Sequence, residues 1–125
     1  MITSRRLNRM SASMIHDYIA EEFNREVIVL DYGFVSYKVI GPELLIGDMF
    51  IKKERRGEKL APELSRACEK IGLEKGCTYM SCNVFIDDER PEYTTEKVRK
   101  LIGARFSILR TVNNQIIMVK ELKGE

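Results

Sequence analysis

Apolar residues along the chain follow two different periods, which predict helices in some segments and strands in others. Between residues 4 and 23 they recur every three or four positions, so we expect an amphipathic helix there. The short apolar run Val27–Leu30 predicts a buried strand. The stretch FVSYKVIGPELLIGDMFI then predicts two strands joined at Gly41–Glu43, because Pro42 presets the backbone for a turn.

The clearest helical pattern of the chain covers Leu60–Lys75. Pro62 suits its first turn, and Gly76 is placed to end it. The segment that follows, TYMSCNVF at residues 78–85, alternates and is rich in strand formers, so it predicts a strand.

The remainder of the chain predicts a short helix and a hairpin. Thr94 or Thr95 can cap a helix over Glu96–Ile102 that ends at Gly103. The closing stretch SILRTVNNQIIMVKEL predicts two strands, with Asn113–Asn114 at a turn that requires positive φ.

The order of these elements predicts the fold class. A strand, a helix and a strand follow one another between residues 45 and 85, so those two strands should be parallel neighbours. The other connections allow antiparallel pairing. We therefore expect a mixed, mostly antiparallel α/β (α+β) sheet flanked by helices, in a single domain over residues 1–125.

Composition and charge narrow the classes of function. The net charge of +2 is too small to indicate a nucleic acid or membrane partner by itself. The sequence has no run of eighteen apolar residues, so we expect no membrane span. The three cysteines are an odd number, and their spacing is not that of metal ligands. They therefore predict reduced thiols in a cytoplasmic protein, and no metal site. No secretory leader is expected from MITSRRLNRMSAS.

The candidate site is the turn between the third predicted strand and the long helix, DMFIKKERRGEKLAPEL. A strand that leads through a glycine-containing basic loop into a helix brings free backbone N–H groups and a positive dipole end to one point. Arg55, Arg56 and Lys59 could add charge-assisted contacts, so the turn predicts a phosphate site. The alternative is a charged turn that contacts only water.

The segment from Ile46 to Phe85 resembles the acetyl-CoA-binding motif of the GCN5-related N-acetyltransferase (GNAT) superfamily. Met49–Ile51 matches the end of the motif strand, and Arg56, Gly57 and Ala61 match its loop. Further matches are the turn and strand at Gly76, Met80, Cys82 and Val84, and VRKLIGARF with Gly103 aligned. The resemblance covers about residues 33–122 and implies the acyl-CoA N-acyltransferase fold.

The resemblance implies a coenzyme A site. The pyrophosphate would contact Arg56, Gly57, Glu58, Lys59, Leu60 and Ala61, chiefly through their backbone. The end of the strand, Met49, Phe50 and Ile51, would offer backbone groups to the pantetheine arm. A splay between Met49–Ile51 and Cys82–Val84 would admit the thioester.

The chain departs from the family pattern at three places. Lys59 stands where the family has a glycine, which is tolerable if its φ stays negative. Arg99 stands at the position of the tyrosine that often protonates the departing thiolate. The asparagine expected after the parallel strand has no clear counterpart, and Glu92 falls near its place.

The residues that could carry the chemistry each have a plainer interpretation. Asp48 could act as the base, or cap a neighbouring backbone, and Tyr93 could act as the acid, or be a surface tyrosine. Asn83 could bind the substrate or pair with backbone. Cys82 is best interpreted as a small buried apolar residue.

Three functions follow from these interpretations. The first is an N-acetyltransferase that moves the acetyl group of acetyl-CoA to a primary amine of a small molecule or protein. The second is an inactive GNAT-fold protein that binds coenzyme A or contacts other proteins. For either function we expect a monomer or homodimer. The third, nucleic-acid binding by Arg5, Arg6, Arg9 and residues 52–56, is opposed by the low net charge.

Overall fold

A computed structural model describes residues 12–123 of the chain. Within this range it contains three α-helices and six β-strands. The helices are α1 (Ala12–Phe23), α2 (Leu60–Glu74) and α3 (Pro91–Gly103). The strands are β1 (Glu26–Leu30), β2 (Gly33–Ile40), β3 (Glu43–Ile51), β4 (Tyr79–Phe85), β5 (Ser107–Val112) and β6 (Gln115–Glu121). The first part of the predicted N-terminal helix, residues 4–11, lies outside the described residues, as do Arg5, Arg6 and Arg9.

The six strands form one mixed sheet in the order β1-β2-β3-β4-β6-β5. β3 and β4 pair in parallel, with Glu43–Leu45 opposite Tyr79–Ser81, whereas β1 with β2, β4 with β6 and β5 with β6 are antiparallel. The predicted fold class and parallel crossover are therefore confirmed. The parallel register is only three residues long, although β3 continues to Ile51 and β4 to Phe85.

The described residues divide into two compact units. The first unit contains the residues up to Lys38 together with Ile46–Cys68, and the second contains Val39–Leu45 with the residues from Glu69 onwards. That residues 1–125 act as a single domain stays a prediction.

Each unit has its own apolar core. In the first unit, Ile15 and Ile19 of α1 pack against Val27 and Phe34 of the β1–β2 hairpin. In the second, Leu44, Met80 and Met118 are fully buried on neighbouring strands. The apolar stripes that predicted these elements are therefore the surfaces that they bury.

Helix α3 begins at Pro91, so the prediction that it begins after a threonine cap is wrong. Proline fits the first helical position because it lacks an N–H and its φ is already helical. The hydroxyl of Thr94 instead accepts a hydrogen bond from the Asp87 N–H at 2.9 Å, and the Thr95 hydroxyl donates to the Pro91 carbonyl at 3.1 Å. Both threonines therefore lie inside the helix, and Tyr93 lies in its first turn.

Candidate functional site

The loop between β3 and α2 alternates in the sign of φ. After a 3-10 turn at Lys53–Arg55, Gly57 has φ +88° and Lys59 has φ +60°, while Glu58 between them has negative φ. Residues that alternate in the sign of φ can turn successive N–H groups toward one point, and such a concave arrangement binds anions. Helix α2 begins at Leu60, directly after the loop, so the free N–H groups of its first turn point back toward the loop.

We expected a lysine at position 59 to be tolerable if its φ stays negative, and in the structure its φ is positive. A lysine in the left-handed region costs about 1 kcal/mol relative to a relaxed backbone, because its Cβ crowds the following carbonyl. The chain accepts that cost at the residue immediately before the helix. The position therefore has the conformation of a glycine and the charge of a lysine.

The backbone at the end of β3 is directed alternately to its two sides. The Phe50 carbonyl lies against Gly33 of β2, so close that an ideal Cβ on Gly33 would be 2.0 Å from its oxygen. The Lys52 N–H donates to the Tyr32 carbonyl at 2.8 Å on the same side. Because successive residues of a strand point their N–H and C=O groups to opposite edges, Met49 and Ile51 present theirs away from β2.

Arg56 folds back over the end of β3. Its Nε donates to the Ile51 carbonyl at 3.0 Å, and its Cζ lies 5.6 Å from the centre of the Phe50 ring. These two contacts leave four guanidinium N–H groups at the loop, held by a carbonyl and an aromatic face. They also mean that the Ile51 carbonyl already has a donor.

Arg55 is held by the loop's own carboxylate. Its Nε donates to both oxygens of Glu58 at 3.0 Å, and this hydrogen bond, with the charge of Glu58, raises the pKa of Arg55. The Arg55 guanidinium also lies 5.8 Å from the centre of the Tyr32 ring. One of the cations expected to face an anion is thus paired with an anion of the same loop.

Tyr32 is a buried phenol next to this loop. It is only 6% exposed, and its hydroxyl has no hydrogen-bond partner among the described residues. Burial raises the pKa of Tyr32, and the nearby Glu63 carboxylate raises it further without standing in good hydrogen-bond geometry. The hydroxyl therefore stays protonated at neutral pH.

Asp48, the candidate base, has an exposed side chain on β3. Its backbone N–H donates to the hydroxyl of the buried Ser36 at 2.8 Å. The preceding Gly47 is crowded by Arg25 and Ser36, because an ideal Cβ there would lie 2.3 Å from an Arg25 nitrogen. Asp48 is therefore fixed through its backbone, and its carboxylate faces water.

The other candidates lie in the second unit. Asn83 is exposed on β4, in register with Ile117. Cys82 is buried, and burial raises its pKa to about 11, so its thiol is not a nucleophile at neutral pH. Tyr93 is 52% exposed, with the Arg90 guanidinium 4.4 Å from the centre of its ring.

A groove of about 420 Å³ on the second unit was not predicted from the sequence. Its lining comes from α3 and β6: Thr94, Thr95, Val98, Arg99, Ile102 and Ile116. The signal for it is the spacing of Thr94, Val98 and Ile102, which places them on one face of a helix. That signal is readable only once the helix is known to begin at Pro91.

Two classes of feature are not found in residues 12–123. No group of three or more histidine, cysteine, aspartate or glutamate side chains there could hold a metal ion. None of the helices there is both long and apolar enough to cross a membrane.

Comparison with known proteins connects this architecture with one class of fold. No protein-family sequence model and no characterised protein matches the chain by sequence. By structure it is similar to PaiA N-acetyltransferase from Thermoplasma acidophilum in complex with coenzyme A (TM-score 0.65, 18% identity, covering 94% of this chain and 86% of that one). It is also similar to an aminoglycoside 6'-N-acetyltransferase complexed with coenzyme A (TM-score 0.65, 13% identity, 92% and 83% covered).

A third similar structure is nourseothricin acetyltransferase, with a TM-score of 0.61 and 15% identity. That match covers 74% of this chain but spans only 58% of the length of the other. The resemblance read from the sequence is thus confirmed at the level of the fold. The chain has the acyl-CoA N-acyltransferase fold of the GNAT superfamily.

Proposed function

We propose that the protein is an acetyl-CoA-dependent N-acetyltransferase that acts on a primary amine in the cytoplasm. The observation that carries the proposal is the loop between β3 and α2, where Gly57 and Lys59 are left-handed at the mouth of a helix. The fold supports it, because structures with this fold include acetyltransferases complexed with coenzyme A. The three cysteines are free thiols, as a reducing compartment would leave them.

The loop is suited to the coenzyme's pyrophosphate. We assign the contact to backbone N–H groups over Gly57–Ala61, with the Arg56 guanidinium and the Lys59 ammonium adding charge. Arg56 is the better placed of the two cations, since the Ile51 carbonyl and the Phe50 ring already hold it. A group held in its binding geometry loses less entropy when the ligand arrives.

The pantetheine arm would run along the edge of β3 that faces away from β2. Of the three residues predicted for this role, Met49 and Ile51 direct backbone groups to that edge, whereas the Phe50 carbonyl faces Gly33. The Ile51 carbonyl has Arg56 as its donor. We therefore assign the arm to Met49 and to the Ile51 N–H, with Phe50 contributing its ring.

The reaction is a direct transfer. The amine nitrogen attacks the thioester carbonyl carbon, a C–N bond forms, the C–S bond breaks, and the electron pair leaves on sulfur. Asp48 is our candidate for removing a proton from the substrate ammonium so that the neutral amine can attack, and Tyr93 for protonating the departing thiolate. Asn83, exposed on β4, is our candidate for contacting the acceptor.

Calorimetry with acetyl-CoA, followed by thiol release over a panel of amines, tests this function. Binding in the micromolar range and release of free thiol are expected. No binding would overturn the proposal, while binding without turnover on any amine would point to a non-catalytic coenzyme-binding protein.

Asp48→Asn and Tyr93→Phe test the two assigned roles, because each should lower kcat by about a hundredfold if the residue transfers a proton.

Glu58→Gln should bind coenzyme A about threefold to tenfold more tightly than the wild type. The change removes a negative charge from the phosphate loop and releases Arg55 from its ion pair, whose own contribution to stability is small because it is exposed. Glu54→Gln is the matched control: it removes a carboxylate from the same loop, and its side chain makes no ion pair within the described range. If calorimetry gives the same gain in coenzyme affinity for both variants, the effect comes from net charge and not from the release of Arg55.

Lys59→Gly should raise the free energy of unfolding by about 0.5–1 kcal/mol, because glycine is relaxed at φ +60°. The same change should weaken coenzyme binding by about threefold to tenfold, since it removes a phosphate-facing ammonium. Lys59→Ala separates the two effects: alanine keeps the strain and loses the charge, so affinity should fall without a gain in stability. Urea unfolding and calorimetry measure both quantities, and unchanged affinity in both variants would exclude the ammonium from the site.

A further inference from the structure

The groove on the second unit combines an apolar wall with a single charge. Val98, Ile102 and Ile116 supply aliphatic surface, and two threonine hydroxyls lie beside them. Arg99 is the only charged side chain of the lining. An aliphatic groove with one guanidinium matches a ligand that has an aliphatic body and one anionic group, and the planar fork of arginine fits a carboxylate.

The guanidinium of Arg99 has donors to spare. Its side chain is 74% exposed, and within residues 12–123 it pairs with one Glu96 oxygen at 3.7 Å, which is too long for a hydrogen bond. Glu96 also faces Lys100 at 3.9 Å, so its charge is divided between two cations. An exposed pair of this kind contributes little, and a ligand carboxylate could replace it at small cost.

Asp87 of the nearby acidic loop is already paired and does not compete for this cation. Asp87 accepts hydrogen bonds from the backbone N–H groups of Glu89 and Arg90 and from the Arg90 side chain, all at 3.0–3.1 Å. Its backbone N–H is bound to Thr94 of the groove lining. Asp87 is therefore held in place beside the groove, and its partly exposed charge is already matched by Arg90.

The groove is lined in part by β6, which pairs with β4, the strand assigned to the thioester site. Ile116 is in register with Val84 of β4, so these two side chains lie on one face of the sheet. Asn83 is in register with Ile117 and lies on the opposite face, so an acceptor bound in the groove would contact Arg99 in place of Asn83. β4 residues 82–84 are those to which the GNAT resemblance assigns the wall of the thioester site.

We propose that this groove binds the acyl acceptor, and that the acceptor is an amine carrying a carboxylate on an aliphatic body, recognised by Arg99. The inference rests on the proposed acetyltransferase function and adds the substrate class to it. Arg99 would be a binding and specificity-determining residue. The carboxylate would accept two N–H groups of the guanidinium, while the aliphatic part contacts Val98 and Ile102.

Matched pairs of amines test the proposal. Leucine is compared with isopentylamine, and ε-aminocaproate with hexylamine, so that each pair differs only in the carboxylate. We expect kcat/KM for acetyl transfer to be at least about tenfold higher for the carboxylate member of one pair. Values near equal in both pairs would overturn the inference while leaving the proposed function intact.

Substitutions on α3 test whether Arg99 is the residue that recognises the carboxylate. Arg99→Gln should reduce the preference by about tenfold or more without changing the affinity for acetyl-CoA, and Arg99→Lys should restore part of it. Lys97→Gln is the control, because it removes the same charge from an exposed position of α3 outside the groove lining. Equal losses in Arg99→Gln and Lys97→Gln would mean that general charge attraction, and not this groove, makes the distinction.

A binding measurement tests the groove even if none of the chosen amines is a substrate. If acetyl-CoA binds but no amine reacts, amide chemical shifts are followed while ε-aminocaproate is added to the protein with coenzyme A. Shifts confined to α3 and β6 that Arg99→Gln abolishes would support the site, and their absence would overturn it. Sedimentation completes the test: a dimer that Ile102→Asp converts to monomers would show that a second copy covers the groove, which also overturns the inference.

Discussion

Replacing Gly57 with proline is expected to lower the affinity for coenzyme A by about a hundredfold or more, while the protein stays folded. Gly57 has φ +88°, whereas proline fixes φ near −65° and removes an N–H from the loop. The loop would then turn its N–H groups away from their common point, and the loss of two charge-assisted hydrogen bonds is enough for such a change. Calorimetry with coenzyme A gives the affinity, and circular dichroism confirms folding.

Two alanine substitutions show whether the effect is local. No atom lies within 4 Å of an ideal Cβ on either Gly57 or Gly41, and both glycines have positive φ. Gly57→Ala and Gly41→Ala should therefore cost a similar amount of stability, about 1 kcal/mol each, through backbone strain alone. Only Gly57→Ala should also weaken coenzyme binding. Full affinity in Gly57→Pro would exclude the loop as the phosphate site.

Gly33→Ala is expected to lower the free energy of unfolding by about 2–4 kcal/mol, the largest stability effect that we expect from a single methyl group in this chain. The new Cβ would lie 2.0 Å from the Phe50 carbonyl oxygen and 3.0 Å from two further backbone atoms. Backbone of a paired strand cannot move aside as a flexible side chain can, so β2 and the end of β3 must separate. Urea unfolding measures the loss.

Gly103→Ala is the control for this second change. Gly103 ends α3 without positive φ, and no atom lies within 4 Å of its ideal Cβ. Alanine there should be neutral or stabilise the protein by up to about 1 kcal/mol. A loss of less than about 1 kcal/mol in Gly33→Ala would show that the two strands are not held as closely as the structure has them.

The sequence predicted a helix or strand well where the spacing of apolar residues agrees with the residues that start and end the element. Leu60–Lys75 has a helical period, a proline in its first turn and a glycine after its end, and the helix extends over Leu60–Glu74. The start of α3 was predicted wrongly because Thr94 and Thr95 look like caps. In the folded chain, Pro91 begins the helix, and the Asp87 carboxylate takes the N–H groups just before it.

The candidate site was predictable in place but not in geometry. A glycine-containing basic loop before a helix could be recognised, yet the positive φ of Lys59 could not, because local propensity argues against it and only the path into α2 requires it. The partners of Arg55 and Arg56 were likewise unpredictable. Which of several nearby cations pairs with Glu58 and which with the Ile51 carbonyl depends on the fold around them.

The strand β5 ends the sheet and is exposed along its whole length, including the apolar side chains of Ile108, Leu109 and Val112. Such an edge offers unpaired backbone to any other extended chain, which is a common route to aggregation. Its pairing with β6 shifts register between Ile108 and Arg110, as a bulge does, and the shift brings a charged side chain next to the irregularity. A bulged, charged edge is a poor template for strand addition, so β5 hinders fibril growth in spite of its exposed apolar side chains.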